Sequence, residues 1–318
     1  MILFFTTAGH RYPLKGIVKA PYRRVPVAVR SYDWLARQSS ISAATCVFTD
    51  FDRLRHFELA FAARIFRQLK EGGIRVLNDP ARACQREELL FRLHKAGINR
   101  FGACRASLDP RPQRFPVFFK CAAGHAQDLT ELITSQEDLE RAIERLRGQG
   151  FPLEHMLVIE FANAEYRPGI YRRNTIYRIG ERMVPANFVV EGSPFVKYGD
   201  ASISIDADRQ DAIAEIDANP HAEALRPVFE MAAIEYGRAD FGLDDGRPAI
   251  YEINTNPTIG LRIRSDHAPL KAAVDRSMRM ISDAVAALNG EMRTVRLHHE
   301  KRWFSRLEPI FGFRLKQP

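Results

Sequence analysis

ADFGLDDGRPAIYEINTNPTIG, residues 239–260, decides how this chain is read. Arg238 to Leu243 has the composition of a strand, Asp244-Asp245-Gly246 is turn chemistry, and Pro248 to Asn254 reads as the return strand. The stretch therefore predicts an antiparallel hairpin. Side chains alternate faces along a strand, so Glu252 and Asn254 share one face, and pairing across the turn can set Asp240 beside them. Hard oxygen donors at this spacing suit magnesium, which keeps several waters and completes its shell with substrate phosphates. A nucleoside triphosphate is the implied partner. The competing reading is a hairpin whose polar face is merely solvated, with Asn254 and Pro257 as turn residues. Asp, Glu and Asn at this spacing, followed by Asn-x-Asn-Pro, are more than a solvated face requires.

The chain has 318 residues, 46% of them hydrophobic, enough for two or three lobes at roughly 100–200 residues each. Its formal net charge of +8 favours anionic ligands: ATP, an acidic co-substrate or nucleic acid. The basic residues are scattered, and neither paired zinc ligands nor an aromatic ribonucleoprotein signature occurs, so there is no nucleic-acid motif. Cys46, Cys84, Cys104 and Cys121 lack C-x-x-C spacing, which argues against a zinc site or disulfide framework and for reduced, buried thiols. Met1 to Phe5 is too short for a signal peptide, and no segment approaches the ~18 apolar residues of a membrane span. A cytoplasmic protein is expected, and a homo-oligomer stays open.

Strand-like runs at Ile2–Thr6, Val25–Arg30 and Ala44–Thr49 precede a predicted helix from Leu54 to Lys70, with Leu54, Phe57, Phe61, Ile65 and Leu69 on one face and Gly72-Gly73 at its end. Ile74–Leu77 reads as a strand and Asn78-Asp79-Pro80 as its turn; a helix carrying Leu89, Leu90 and Leu93 then stops at Gly97. This first α/β lobe is expected to close at residue 107, before the structure-breaking Asp109-Pro-Arg-Pro. Beyond it lie the strand PVFFK (116–120), a helix from Ser135 to Arg147 opened by a capping pair of Ser135 and Asp138, and the strand MLVIEF (156–161). Residues 170–190 read as a hairpin around Gly180-Glu181, with Arg172, Arg173 and Arg178 as candidates to bind an acidic substrate or the γ-phosphate, joined by Asn187 and Lys197. A core helix over Pro220–Tyr236 leads into the opening hairpin. A last helix over Ala268–Leu288 follows it, and a basic, aromatic tail with Trp303, Phe304 and Phe311 ends the chain.

In that order, these pieces resemble the ATP-grasp superfamily, whose last block is an Asp on one strand and Glu-x-Asn on the next. The resemblance covers about residues 74–290. It implies an α/β fold with an N-terminal lobe (1–107), a central subdomain (108–161), a C-terminal subdomain with the metal site (162–290) and the tail (291–318). It implies Asp240, Glu252 and Asn254 as ligands of two magnesium ions on ATP, with Mn2+ as the alternative metal and Glu252 bridging. Lys120 falls where a strand-end Lys touches the phosphates, and Glu160-Phe161-Ala162 where a hinge backbone holds adenine. Arg86, eleven residues before Gly97, stands where ribosomal-protein glutamate ligases have a Lys. Arg238 is similar to the Arg that steadies the tetrahedral intermediate in D-alanine:D-alanine ligase. The loop after Lys120 departs from the family, keeping only Gly124, beside His125, as a phosphate cap. The implied activity is that of an ADP-forming carboxylate–amine ligase acting through an acyl phosphate, with a hydroxyl or other nucleophile as the alternative acceptor. Phosphotransfer on the same fold is the second reading, and a nucleotide-sensing module without turnover is a third.

Overall fold

A run buried at every position, as Ile2–Thr6 is, belongs to a strand covered on both faces, and this one (β1) lies inside a parallel sheet. The computed structural model describes residues 1–123, 130–260 and 266–298. They divide into two units: Met1–Arg82 with Asn256–Gly260 and residues 282–298, and Ala83–Thr255 with the described residues up to Ile281.

The first unit holds α1 (Lys15–Val18), β2 (Val27–Ser31), α2 (Tyr32–Ala36), β3 (Ser40–Ala43), β4 (Thr45–Phe48), α3 (His56–Glu71) and β5 (Arg75–Leu77), with an all-parallel sheet in the order β2-β1-β4-β5. α3 differs from its predicted face. It buries Ala62, Ala63, Ile65, Phe66 and Leu69, while Phe57 and Phe61 are half-buried and Leu54 precedes it. The Phe66 ring meets Phe48 of β4 edge-on at 5.5 Å, which turns the 62-65-66-69 stripe inward.

The second unit begins with α4 (Arg86–Lys95), β6 (Ala103–Arg105), β7 (Val117–Cys121), α5 (Gln136–Gly148) and β8 (Met156–Glu160). The three strands form an antiparallel sheet in the order β6-β8-β7, and α5 covers it with Leu139, Ala142, Ile143 and Leu146. Ser135 caps α5 as expected: its hydroxyl accepts from the Asp138 N–H at 3.1 Å and donates to the Asp138 carboxylate at 2.6 Å. Next come β9 (Glu165–Arg167), β10 (Ile170–Ile179), β11 (Arg182–Pro185), β12 (Val189–Glu191), α6 (Asp206–Ala218), α7 (Ala222–Met231), β13 (Tyr236–Asp244) and β14 (Arg247–Asn254). Their sheet runs β11-β10-β13-β14, with β9 and β12 on the first part of β10. Leu225, Val228 and Phe229 of α7 join Leu89 and Leu93 of α4 in one core with Phe241 and Ile250. α7 stops at Met231 instead of reaching Tyr236, because Ala233 takes a left-handed φ of 53°.

The expected boundary at residue 107 does not separate the units. β6 before it is hydrogen-bonded to β8 after it, and α4 shares a core with α7, so the division falls at Arg82/Ala83. Nor do residues 162–290 stay together. Asn256 Nδ2 donates to the His10 carbonyl at 2.9 Å and the Ile259 N–H to Pro13 at 2.8 Å, which ties 256–260 into the first unit. α8 (Ala268–Ala286) has Leu270 beside Phe188 and Val190 in the second unit, whereas its residues from Ser282 count with the first. The stretch taken as tail opens with a strand, β15 (Arg293–Arg296), paired with β3. Trp303, Phe304 and Phe311 lie outside the described residues. Among the described residues no helix is long and apolar enough to cross a membrane.

The α5 cap gives a direct check: Ser135→Ala is expected to lower the unfolding free energy by about 1 kcal/mol in urea titration, without changing the spectrum of the folded protein.

Candidate active site

Asp245 and Gly246 both have positive φ, 50° and 74°, and form the two-residue turn that joins β13 to β14, with Asp244 opposite Arg247. From that closure the register follows. Asp240 pairs with Glu252 and Arg238 with Asn254, so all four side chains share one face, as the alternation predicts. One irregularity intervenes: Asp240 pairs with Glu252 but Phe241 with Ile250, leaving Tyr251 as the extra residue of a β-bulge. The bulge lets Tyr251 and Glu252, consecutive in sequence, line the same cleft. Gly242 keeps room for this, since a Cβ there would stand 1.9 Å from the Tyr251 hydroxyl and 2.6 Å from Asn163 Oδ1.

Asp240 is buried, and its charge is met by arginines. Arg238 grips it bidentately, Nε to Oδ1 at 2.7 Å and Nη2 to Oδ2 at 2.8 Å, while Arg173 Nη1 stands 3.4 Å from Oδ2. Burial opposes the Arg238 charge, but Asp240 and Tyr177 outweigh it and hold the guanidinium above its ordinary pKa. Glu252 is ion-paired with Arg86, which also donates to the Cys121 carbonyl at 2.7 Å. Arg86 is thus a nearly buried side chain at the start of α4 and not a solvent-facing one.

The cleft beside the hairpin has a volume of about 150 Å³ and a lining of two chemical kinds. Arg86, Lys120, Arg173 and Lys197 line it together with Asp240 and Glu252. Aromatic rings line it as well: Phe195 lies 5.1 Å from Phe118 and 6.3 Å from Phe161, and Phe101 lies 6.3 Å from Tyr251. The expected hinge also lines this cleft, through Glu160, Phe161 and Ala162. The Glu160 carboxylate itself is committed to backbone, accepting from Gly102 and Gln113 N–H at 2.7 Å each and from Arg114 N–H at 3.3 Å.

The basic run on β10 separates by strand alternation. Arg173 faces the site. Arg172 points the other way, pairs with Glu215 at 2.9 Å and lies over the rings of Tyr166 and Phe188, and Arg178 donates to the Gly180 and Ile234 carbonyls. Neither is placed to take a substrate phosphate with Arg173, so the expectation of an arginine cluster reduces to one residue. Lys197 lines the cleft; Asn187 does not. Phe195, Asn163 and Tyr251 escaped the sequence reading: Tyr251 needs the bulge, and Phe195 sits in an irregular loop without periodicity. His125 lies outside the described residues.

Among the described residues no group of three or more His, Cys, Asp or Glu side chains is arranged to hold a metal. The hairpin offers two carboxylates and, two residues along, an amide. That donor set is all oxygen and fits a hard divalent cation that draws its remaining ligands from phosphate and water. All four cysteines are free, and burial pushes the Cys46 thiol to about 12 and, with Glu88 adding to it, Cys84 to about 11, so neither is a ready nucleophile.

No protein-family model and no curated protein matches the chain. Among solved structures it is similar to the ATP-grasp ligase PsnB complexed with a phosphomimetic variant of its minimal precursor, Mg and ADP, at 13% identity and a TM-score of 0.53 over 90% of this chain and 96% of that one. It is also similar to D-alanine–D-alanine ligase from Bacillus anthracis complexed with ATP, at 11% identity and a TM-score of 0.50 over 91% of this chain and 97% of that one. At such identities the likeness speaks for architecture, and with the hairpin and the cleft beside it, it leads to one conclusion: the chain has the ATP-grasp fold.

Proposed function

We propose that this protein is an ATP- and magnesium-dependent ligase that joins a carboxylate to an amine or other nucleophile, releasing ADP and phosphate. The observation that carries the reading is the mixed lining of one cleft: its aromatic rings suit a nucleotide base, and its four cations with two carboxylates of the hairpin suit a metal-bound polyphosphate. In this reading the Phe161 and Ala162 backbone, next to the buried Glu160, receives adenine. Lys120, Arg86 and Arg173 take the phosphates, with His125 as a further donor. Asp240, Glu252 and Asn254 hold one or two magnesium ions, with manganese as the substitute, and a bound ion would neutralise charge on the transferring phosphoryl group.

The substrate carboxylate oxygen attacks the γ-phosphorus and ADP leaves. The nucleophile then attacks the acyl carbon, phosphate departs and the nucleophile loses a proton. The side chains act by charge and position and supply no nucleophile of their own. Arg238 first fixes Asp240, through its two-point contact, and also brings positive charge to the developing oxyanion. The surplus of cations around the cleft favours an acidic co-substrate. Phosphotransfer would need the same nucleotide residues; it is the less favoured reading because the fold neighbours named above are ligases.

Glu252→Gln is expected to abolish magnesium-dependent ATP turnover with folding nearly intact; turnover at the wild-type rate would sink the site assignment. Hydroxylamine added to the enzyme with ATP and pooled carboxylates should trap hydroxamates, whereas a stable phosphorylated product without hydroxamate would turn the assignment to phosphotransfer. Arg238→Ala leaves the buried Asp240 carboxylate with Arg173 alone and is expected to lower the unfolding free energy by about 2–3 kcal/mol, below the ~3–5 kcal/mol of a fully unpaired buried charge. Combining it with Asp240→Asn should cost less than the sum of the two single changes, measured as a double-mutant cycle.

A further inference from the structure

Residues 193–199 form an irregular loop between β12 and α6, and Pro194 to Lys197 make one wall of the cleft. Three successive backbone N–H groups of this loop, those of Lys197, Tyr198 and Gly199, point at one atom. Each donates to Glu191 Oε1, at 3.0, 2.6 and 2.7 Å. This is an anion-binding nest occupied by the protein's own carboxylate. Gly199 has a φ of 80°, and a Cβ there would stand 2.9 Å from Val189 Cβ, so the nest requires glycine at that position. The loop has two further ties to the site. Phe195 packs on Phe118 and Phe161, and the Lys197 carbonyl accepts from Arg173 Nη2 at 2.8 Å, the arginine that also faces Asp240.

We propose that Glu191 is a positioning residue for nucleotide binding: its carboxylate gathers the 197–199 backbone and so sets Phe195 against Phe118 and Phe161 in the aromatic lining of the cleft. The proposal rests on the reading of the cleft as a nucleotide site. Glu191 is not itself among the residues lining the cleft, and it acts through the loop. What Glu191 supplies is an acceptor oxygen, so a neutral amide at the same position serves in part and a methyl group does not.

The experiment compares wild type, Glu191→Gln, Glu191→Ala and Gly199→Ala by two readouts. The first is tryptic cleavage after Lys197 without nucleotide, located by mass spectrometry. Cleavage is expected to be at least tenfold faster in Glu191→Ala and Gly199→Ala, with Glu191→Gln close to wild type and thermal midpoints within a few degrees of one another. The second is the equilibrium affinity for a fluorescent non-hydrolysable ATP analogue. Glu191→Ala is expected to bind at least tenfold more weakly, with Glu191→Gln recovering most of the loss. Cleavage in Glu191→Ala at the wild-type rate overturns the anchoring role. Faster cleavage with wild-type affinity overturns the link to the nucleotide wall. If wild type itself fails to bind the analogue while the cleavage pattern holds, the anchoring stands and the nucleotide reading of the cleft falls, and with it the proposed purpose of the anchor.

Discussion

Two carboxylates, Asp240 and Glu252, face each other directly across β13 and β14, and like charges in paired strand positions repel. The architecture around the site answers that repulsion. Arg238 comes from β13 itself, Arg173 from the neighbouring strand β10, and Arg86 from the start of α4, so the compensating charges arrive from three elements. Each must be held where its guanidinium can reach, which explains why α4 shares its core with α7 and the hairpin. A cation entering beside these carboxylates would compete with guanidinium groups, and phosphate oxygens are the partners those groups would accept in exchange.

A second pair of acids works differently. Glu160 and Glu191 have carboxylates turned to backbone N–H groups, the first to Gly102, Gln113 and Arg114, the second to Lys197, Tyr198 and Gly199. One holds the end of β8 against the backbone at Gly102 and Gln113-Arg114; the other gathers the loop that carries Phe195. In both, a charged acceptor replaces the regular hydrogen bonding that these irregular segments lack, leaving few backbone donors to compete for a ligand.

Much of this was legible in the chain. The hairpin, with its turn at Asp245-Gly246 and the shared face of Asp240 and Glu252, follows from local rules, because turn chemistry and strand alternation act within a few residues. So do β1, the cap on α5 and the strand that brings Lys120 to the cleft. The Arg172–Arg173–Arg178 run shows the limit: alternation alone says that 172 and 178 share a face opposite to 173, but which face meets the cleft depends on the partners β12 and β13.

What the sequence by itself determined is most of the longer strands and helices, though not α6 or β15, and the chemistry on the hairpin, since these arise from contacts between near neighbours along the chain. Only the tertiary structure decided which distant segments belong together: Ala83 to residue 107 with the second unit, Asn256–Gly260 and β15 with the first, and Arg86 and Arg173 on the two carboxylates. These depend on pairings across scores of residues, such as β6 with β8 and Arg86 with Glu252. Nothing periodic in the sequence records them, because the free energy of such a contact lies in burial and charge compensation that exist only once both partners are in place.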